Sequence, residues 1–201
     1  MTPAAGGDEA VLEFLRMMRR LRAECPWKAA QTHRSLARFL LEETHETLEA
    51  LDTGDAQHLR EELGDLLLQV FFHAAIAEEE GTFTMADVAG DVTEKMVRRN
   101  PHVFGDAAAP QLDPTGVNEM WEAAKAQEKQ RTSVSDGLPP GLPALLYADK
   151  LLDRLGRAGS PVDVPADSAD LGDRLLALVV EARASGTDPE QALRDAVRRL
   201  S

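Results

Sequence analysis

The 201-residue sequence has one cysteine and no long apolar run. Cys25 has no second cysteine with which to form an internal disulfide, and such sparing cysteine use is typical of a reducing compartment. No stretch approaches the roughly 18 consecutive apolar residues that a membrane-spanning helix needs. Residues 1–10 also lack the charged start and apolar run of a signal peptide. These absences predict a cytoplasmic protein with no membrane partner.

Aromatic residues are also scarce, at 4% of the chain, and basic residues are outnumbered, which leaves a net charge of −13. Because helix formers such as Ala, Leu, Glu and Arg dominate, the composition favours an all-α fold over a sandwich or barrel. The acidic excess argues against a nucleic-acid polymer as partner, since phosphate backbones bind basic surfaces. A small polyanionic substrate stays possible, because a metal ion or a few cations can reverse the field of one pocket.

Apolar periodicity and capping residues divide the chain into helices. We predict N-caps at Asp55, Thr84 and Asp113. The predicted helices lie at about residues 9–24, 35–51, 56–80, 84–99, 143–157, 169–185 and 188–200, and a further helix that follows Asp113 contains residues 117–130. The segment NPHVFGDAAAPQLDP is predicted to be a loop, and the Gly, Pro and Ser content of SVSDGLPPGLP predicts a linker.

A weak internal repeat indicates how these helices are grouped. The segment EELGDLLLQVFFHAAIAEEEGTFTMADVAGDV at residues 61–92 resembles ADLGDRLLALVVEARASGTDPEQALRDAV at residues 169–197. The second copy keeps Asp170 and Asp173 but lacks the acidic helix that precedes the first copy. We therefore predict a catalytic domain at 8–132, a linker at 133–142, and a truncated, degenerate and catalytically silent second repeat at 143–201.

Two neighbouring predicted helices carry acidic residues within apolar stripes. In the first, Glu43 lies within the stripe and Glu46 follows one turn later; in the second, Glu62 lies within the stripe and Asp65 follows at i+3. The stripes consist of Leu36, Phe39, Leu40, Thr47 and Leu51, and of Leu59, Leu63, Leu66, Leu67 and Val70. Because the connection DTGD is short, we expect antiparallel neighbours whose acidic pairs can face each other.

Four facing carboxylates would repel one another and lose hydration, at a cost on the order of several kcal/mol per unpaired charge. A bound divalent cation removes that cost. Ligands that are all oxygen atoms suit a hard ion such as Mg²⁺, with Mn²⁺ as a substitute, rather than zinc. Two acidic pairs inside apolar stripes therefore favour a metal site over a solvated helix face.

Two alternatives lead to different functions. Glu42-x-x-His45 matches the Glu-x-x-His motif of carboxylate-bridged di-iron bundles, but those proteins need two such motifs and this sequence has one. A non-catalytic helical interaction module is the second alternative, because the C-terminal part has lost half of its acidic set. The remaining histidines follow no metal-ligand spacing and are interpreted as structural or surface residues; they are His33, His58, His73 and His102.

Six segments together resemble a MazG-type nucleoside triphosphate pyrophosphohydrolase of the all-α NTP pyrophosphatase superfamily. They are CPW, QTHRSL, LLEETHE, EELGDLLLQVFFHA, KMVRRNPHVFG and WEAAKAQEK. The resemblance implies an antiparallel helical bundle that forms a homodimer, with a short helical C-terminal extension that is a degenerate MazG-like repeat. It also implies Mg²⁺-dependent cleavage of a (d)NTP to (d)NMP and pyrophosphate, with house-cleaning of damaged nucleotides as the expected role.

The resemblance also assigns residues by position. The implied metal ligands are Glu43, Glu46, Glu62 and Asp65, and a water activated by Mg²⁺ would attack at the α–β linkage. Glu42 would orient or activate that water, so these five acidic residues form the implied catalytic set. The implied substrate-binding residues are Lys95, Arg98, Arg99, Trp121 and Lys125. Lys28 departs from the family, which commonly has an acidic residue after CPW, and it is left out of the site.

Overall fold

A computed structural model describes residues 7–105, 113–129 and 133–200, and this part of the chain contains helices but no strand. The helices are α1 Gly7–Glu24, α2 Pro26–Ala29, α3 His33–Thr53, α4 Ala56–Glu79, α5 Met85–Arg99, α6 Pro101–Phe104, α7 Pro114–Lys129, α8 Ala144–Arg157, α9 Leu171–Ala184 and α10 Pro189–Arg198. The predicted all-α fold is confirmed. Within the described ranges, no helix is long and apolar enough to cross a membrane.

The predicted N-caps begin the helices as expected. Asp55 accepts hydrogen bonds from the first turn of α4, Thr84 and Asp87 form a capping box on α5, and Asp113 accepts from the Gly116 N–H at 2.8 Å. Two single-turn helices, α2 and α6, lie in segments where we predicted no helix: α2 between the first two predicted helices, and α6 in the predicted loop. Each begins with a proline, whose fixed φ suits the first position of a helix. Residues 106–112 of the predicted loop, and 130–132 at the predicted domain end, lie outside the described residues.

The chain forms two compact units, which divide between Val117 and Asn118. Most of α7 therefore groups with the helices that follow it, whereas the domain boundaries at 132 and 143 stay predictions. In the first unit, α1, α3 and α4 enclose a core of Met18, Leu36, Phe71, Phe72 and Ile76. In the second unit, α8, α9 and α10 pack on one another, and Val179 is 1% exposed.

The apolar stripe predicted for α4 is only partly buried in the single chain. Leu63, Leu67 and Val70 are 51%, 41% and 42% exposed, whereas the buried apolar residues of α4 begin at Phe71. The reason is that the end of α1 pairs with the end of α4, where Arg19 forms an ion pair with Glu78. The first half of α4 packs on α3 and leaves part of its apolar surface open.

Arg22 ties the end of α1 to the segment that leads into α3. It is 8% exposed and donates to the carbonyl oxygens of Lys28 and Gln31 and to the Glu79 carboxylate. The hydrogen bond from Arg22 lowers the pKa of Glu79, and the same bond raises the pKa of Arg22. This contact fixes the entry of α3, the helix that carries the first acidic pair.

The second unit uses its acidic motif differently from the first. Asp170 caps α9 by accepting from the Asp173 N–H at 3.1 Å, whereas Glu62 and Asp65 lie well inside α4. The predicted linker 133–142 is non-helical, and Arg154 of α8 donates to the carbonyl oxygens of Val134 and Asp136 at 2.8 Å each. The described part of the second unit contains no group of acidic residues spaced to hold a metal.

Candidate active site

The turn between α3 and α4 sets the register of the two acidic pairs. Gly54 ends α3 with a φ of +71°, and its N–H donates to the carbonyl oxygens of Ala50 and Leu51. A residue with a side chain is strained in this left-handed conformation, so the tight turn depends on glycine. In an antiparallel pair, residues at equal distance from the turn lie at similar heights. Positions 43 and 65 are each eleven residues from position 54, and positions 46 and 62 are each eight.

Three carboxylates from these two helices converge on one point. Glu43, Glu62 and Asp65 each offer an oxygen, and these oxygens all lie within 4.8 Å of one another. Glu62 is buried, and Glu43 and Asp65 are half-buried. In the described ranges this is the one group of three or more His, Cys, Asp or Glu residues close enough to hold a metal. The structure thus brings together three of the four predicted ligands.

The Glu43 carboxyl shows what this arrangement costs. Its pKa is raised, first by burial and then by the negative charges of Asp65, Glu46 and Glu62, with a hydrogen bond to Glu46 as the smallest cause. Every one of these effects disfavours the ionised form. A cation at the same point would reverse the balance, because it favours the charged carboxylates.

Glu62 supplies the observation that points most directly to a ligand. The residue is 8% exposed, and its Oε1 lies 3.1 Å from Nε2 of His58. Its Oε2 is buried and has no hydrogen-bond partner. An ionised carboxylate oxygen that is buried without a donor is costly, so it is rarely left in that state. An oxygen-only donor set with one unpartnered buried oxygen fits a hard divalent cation.

The remaining acidic residues of α3 lie outside this group. Glu46 is exposed, although it is near enough to Glu43 to affect its pKa. Glu42 and His45 are both exposed and do not join the three carboxylates. The di-iron alternative depended on these two residues, so the geometry gives it no support.

The predicted phosphate-binding cations lie on α5. Lys95 is half-buried, Arg98 is exposed and Arg99 is 6% exposed, all in the last two turns. The groups that shift the pKa of Glu43 are all acidic, and these three cations are not among them. Their contact with a substrate stays a prediction.

Trp121 and Lys125 lie in the second compact unit. Lys125 Nζ is 2.9 Å from Glu122 Oε1 and stands 4.9 Å from the centre of the Trp121 ring. Lys125 also lines a cavity of about 390 Å³ together with Arg154 and Arg183 of the same unit. Their predicted role in a nucleotide pocket stays a prediction.

His58 contacts the site, although we interpreted it from the sequence as a structural or surface residue. The signal was present, because His58 and Glu62 have the i, i+4 spacing that places two side chains together on a helix. The sequence could not predict the burial of Glu62. Because Glu62 is buried, its carboxylate has few available partners, and His58 is one of them.

Comparison with known proteins shows which family the chain is similar to. Residues 31–104, which include α3, α4 and α5, match the MazG nucleotide pyrophosphohydrolase domain. The chain is 46% identical to an uncharacterised 26.1 kDa protein of Streptomyces cacaoi, over 92% of this chain and 77% of that protein. It is 42% identical to the nucleoside triphosphate pyrophosphohydrolase of Mycobacterium tuberculosis, over 97% and 57%. It is 36% identical to the nucleoside triphosphate pyrophosphohydrolase/pyrophosphatase MazG of Thermotoga maritima, over 94% and 81%.

Proposed function

This chain belongs to the MazG family of nucleotide pyrophosphohydrolases, and from that premise we propose that it cleaves a (d)NTP to (d)NMP and pyrophosphate at a Mg²⁺ site on α3 and α4. Nucleoside triphosphate pyrophosphohydrolysis is the activity in the names of its relatives from Mycobacterium tuberculosis and Thermotoga maritima. The chain spans 57% of the length of the Mycobacterium tuberculosis protein and 81% of the length of the Thermotoga maritima protein.

The observation that carries the proposal is the convergence of Glu43, Glu62 and Asp65 within 4.8 Å, with Glu62 Oε2 buried and unpartnered. These three residues would hold the ion, and Glu46, one turn from Glu43, would supply the fourth carboxylate. Oxygen ligands favour Mg²⁺, and Mn²⁺ accepts the same donors. When bound, such an ion neutralises phosphate charge and lowers the pKa of a coordinated water.

The other residues of the site act on the substrate and the water. Glu42 lies next to the ligands on α3 and would orient the attacking water. Lys95 and Arg99, four residues apart on α5, would bind the departing pyrophosphate, because their charge offsets the negative charge that develops on it. Arg98 would also contact the phosphates, and the assignment of Trp121 and Lys125 to substrate binding stays a prediction. In phosphoryl transfer most of the catalysis comes from such positioning and charge neutralisation.

Product analysis is the direct test of this proposal. The purified chain is incubated with each canonical NTP and dNTP, with Mg²⁺ or with EDTA, and the products are separated by ion-exchange chromatography. We expect NMP and pyrophosphate with Mg²⁺ and no turnover with EDTA. NDP and phosphate would show cleavage at the β–γ linkage instead, and would contradict the proposal.

A matched pair of variants tests the site itself. Glu61 and Glu62 are adjacent on α4, but Glu61 is exposed whereas Glu62 is 8% exposed within the carboxylate group. We expect Glu62→Gln to abolish turnover and Glu61→Gln to leave it unchanged. Equal activity in both variants, with circular dichroism showing folded protein, would exclude the carboxylate group as the active site.

The apolar surface of α3 and α4 supports the predicted homodimer. Leu51 and Leu63, on either side of the Gly54 turn, are 54% and 51% exposed, and Leu67 and Val70 continue this surface along α4. Exposed apolar side chains on the two helices that carry the carboxylates favour a second copy as their cover. We expect sedimentation equilibrium to give twice the chain mass of 21.9 kDa; a monomer at micromolar concentration would contradict this part of the proposal.

A further inference from the structure

His58 lies in the first turn of α4, next to the buried ligand of the carboxylate group. Its Nε2 is 3.1 Å from Glu62 Oε1, while Glu62 Oε2 is buried without a partner. We propose that His58 is a positioning residue that holds Oε1 of Glu62, so that Oε2 is the oxygen presented to the divalent cation. This inference rests on the proposed function, because it assumes that Glu62 is a metal ligand.

The direction of the hydrogen bond follows from chemistry. An ionised carboxylate can only accept, so Nε2 of His58 carries the proton and donates it to Oε1. That bond occupies one of the two oxygens and leaves the other for a cation. A carboxylate held by one such bond loses less rotational freedom when it binds a metal than a free one does, which strengthens binding.

The backbone at His58 is itself held in place. Asp55 Oδ1 accepts from the His58 N–H at 3.2 Å and from the Gln57 N–H at 2.8 Å. This cap fixes the first turn of α4, and the i, i+4 spacing then places the imidazole over the Glu62 carboxylate. The turn that sets the register of the acidic pairs therefore also places the group that orients one of them.

A plain surface pair would behave differently. The His58 side chain is 38% exposed, and an exposed i, i+4 pair contributes little to stability. Such a pair would have no effect on metal affinity. Loss of a hydrogen-bond partner of a metal ligand, in contrast, typically lowers the metal affinity by about 10–100-fold. Metal affinity therefore separates the two roles.

The test measures Mn²⁺ binding to the full chain by electron paramagnetic resonance, without any nucleotide. We expect His58→Ala to raise the Mn²⁺ dissociation constant by roughly 10-fold or more. His58→Gln should restore most of the affinity, because the Gln amide can donate to Oε1 from a similar position. Gln57→Ala is the matched control, since this exposed residue precedes His58 in the same turn. Circular dichroism verifies that each variant is folded.

A second readout is the Mg²⁺ dependence of turnover. We expect His58→Ala to need more Mg²⁺ for half-maximal rate but to approach the wild-type kcat at saturating Mg²⁺, because the imidazole does not contact substrate. Unchanged Mn²⁺ affinity in folded His58→Ala would overturn the inference and leave the proposed function intact. A loss that Gln does not restore, and that is larger for Mn²⁺ than for Mg²⁺, would make His58 a direct nitrogen ligand and also overturn it. Absence of Mn²⁺ binding in the wild-type chain would overturn the proposed metal site, and this inference with it.

Discussion

The Glu43→Gln exchange should make the metal-free protein more stable while it destroys the site. A carboxylate oxygen of Glu43 lies within 4.8 Å of an oxygen of Glu62 and an oxygen of Asp65. Two unit charges 4.8 Å apart repel by about 0.9 kcal/mol in a medium as polar as water. Two such neighbours make the charge of Glu43 unfavourable by about 2 kcal/mol, and screening at physiological ionic strength reduces this to about 1 kcal/mol.

Thermal unfolding in EDTA tests this value. We expect the unfolding midpoint of the first unit to rise by about 4 °C in the variant. Adding a divalent cation should invert the order, because binding to the folded state stabilises the wild type and adds little to the variant. The same inversion should not occur for the exposed Glu61→Gln.

The effect should also depend on pH in a defined direction. The pKa of Glu43 is raised, so the folded wild type carries the unfavourable charge above that raised pKa. As the pH falls through it, the wild-type carboxyl is neutralised and the advantage of the variant disappears. A variant that is less stable than the wild type in EDTA at neutral pH would refute the reasoning. It would mean that the Glu43 carboxylate makes a favourable contact that outweighs the repulsion.

Two further exchanges test the frame around the site. Arg22→Met should lower the free energy of unfolding by about 2–4 kcal/mol at pH 7, because two carbonyl oxygens and the Glu79 carboxylate lose a buried donor. Since Arg22 lowers the pKa of Glu79, the difference in unfolding free energy between variant and wild type should shrink as the pH falls through that lowered pKa. Urea titrations that give the same difference at every pH would contradict the ion pair between Arg22 and Glu79. Leu36→Ala should lower the free energy of unfolding by about 2–5 kcal/mol, because Leu36 is 1% exposed in the core. A smaller loss than that of Leu41→Ala, at an exposed position, would refute this packing.

Local features of the fold were predictable because their causes are local. The caps at Asp55 and Thr84 bind N–H groups two or three residues away, so residue type and spacing suffice to predict where α4 and α5 begin. The short turn at Gly54 likewise predicts that α3 and α4 are antiparallel. Counting residues from that turn places Glu43 level with Asp65 and Glu46 level with Glu62, but it does not predict that Glu46 lies outside the group.

Burial could not be predicted in the same way. Periodicity assigned Leu63 and Leu67 to the core, yet both are exposed in the single chain, because α1 packs on the other end of α4. Periodicity identifies the apolar face of a helix, but which length of that face is covered depends on where the neighbouring helix lies.

The contacts of histidines also required the structure. His33 and His73 are forty residues apart in sequence, yet their rings stack with centroids 5.0 Å apart and their Nδ1 atoms lie 2.7 Å apart. Burial, followed by the nearby His33, lowers the pKa of His73. No spacing rule relates two residues on different helices at that distance in the chain.

The sequence by itself determined the helices, the turn that pairs α3 with α4, and the acidic residues that meet between them. These depend on side chains within a turn or two of each other and on one short connection. The tertiary structure decided which carboxylate is buried and which of its oxygens lacks a partner. Those properties arise from the packing of distant segments, because burial sets the cost of an unpaired oxygen.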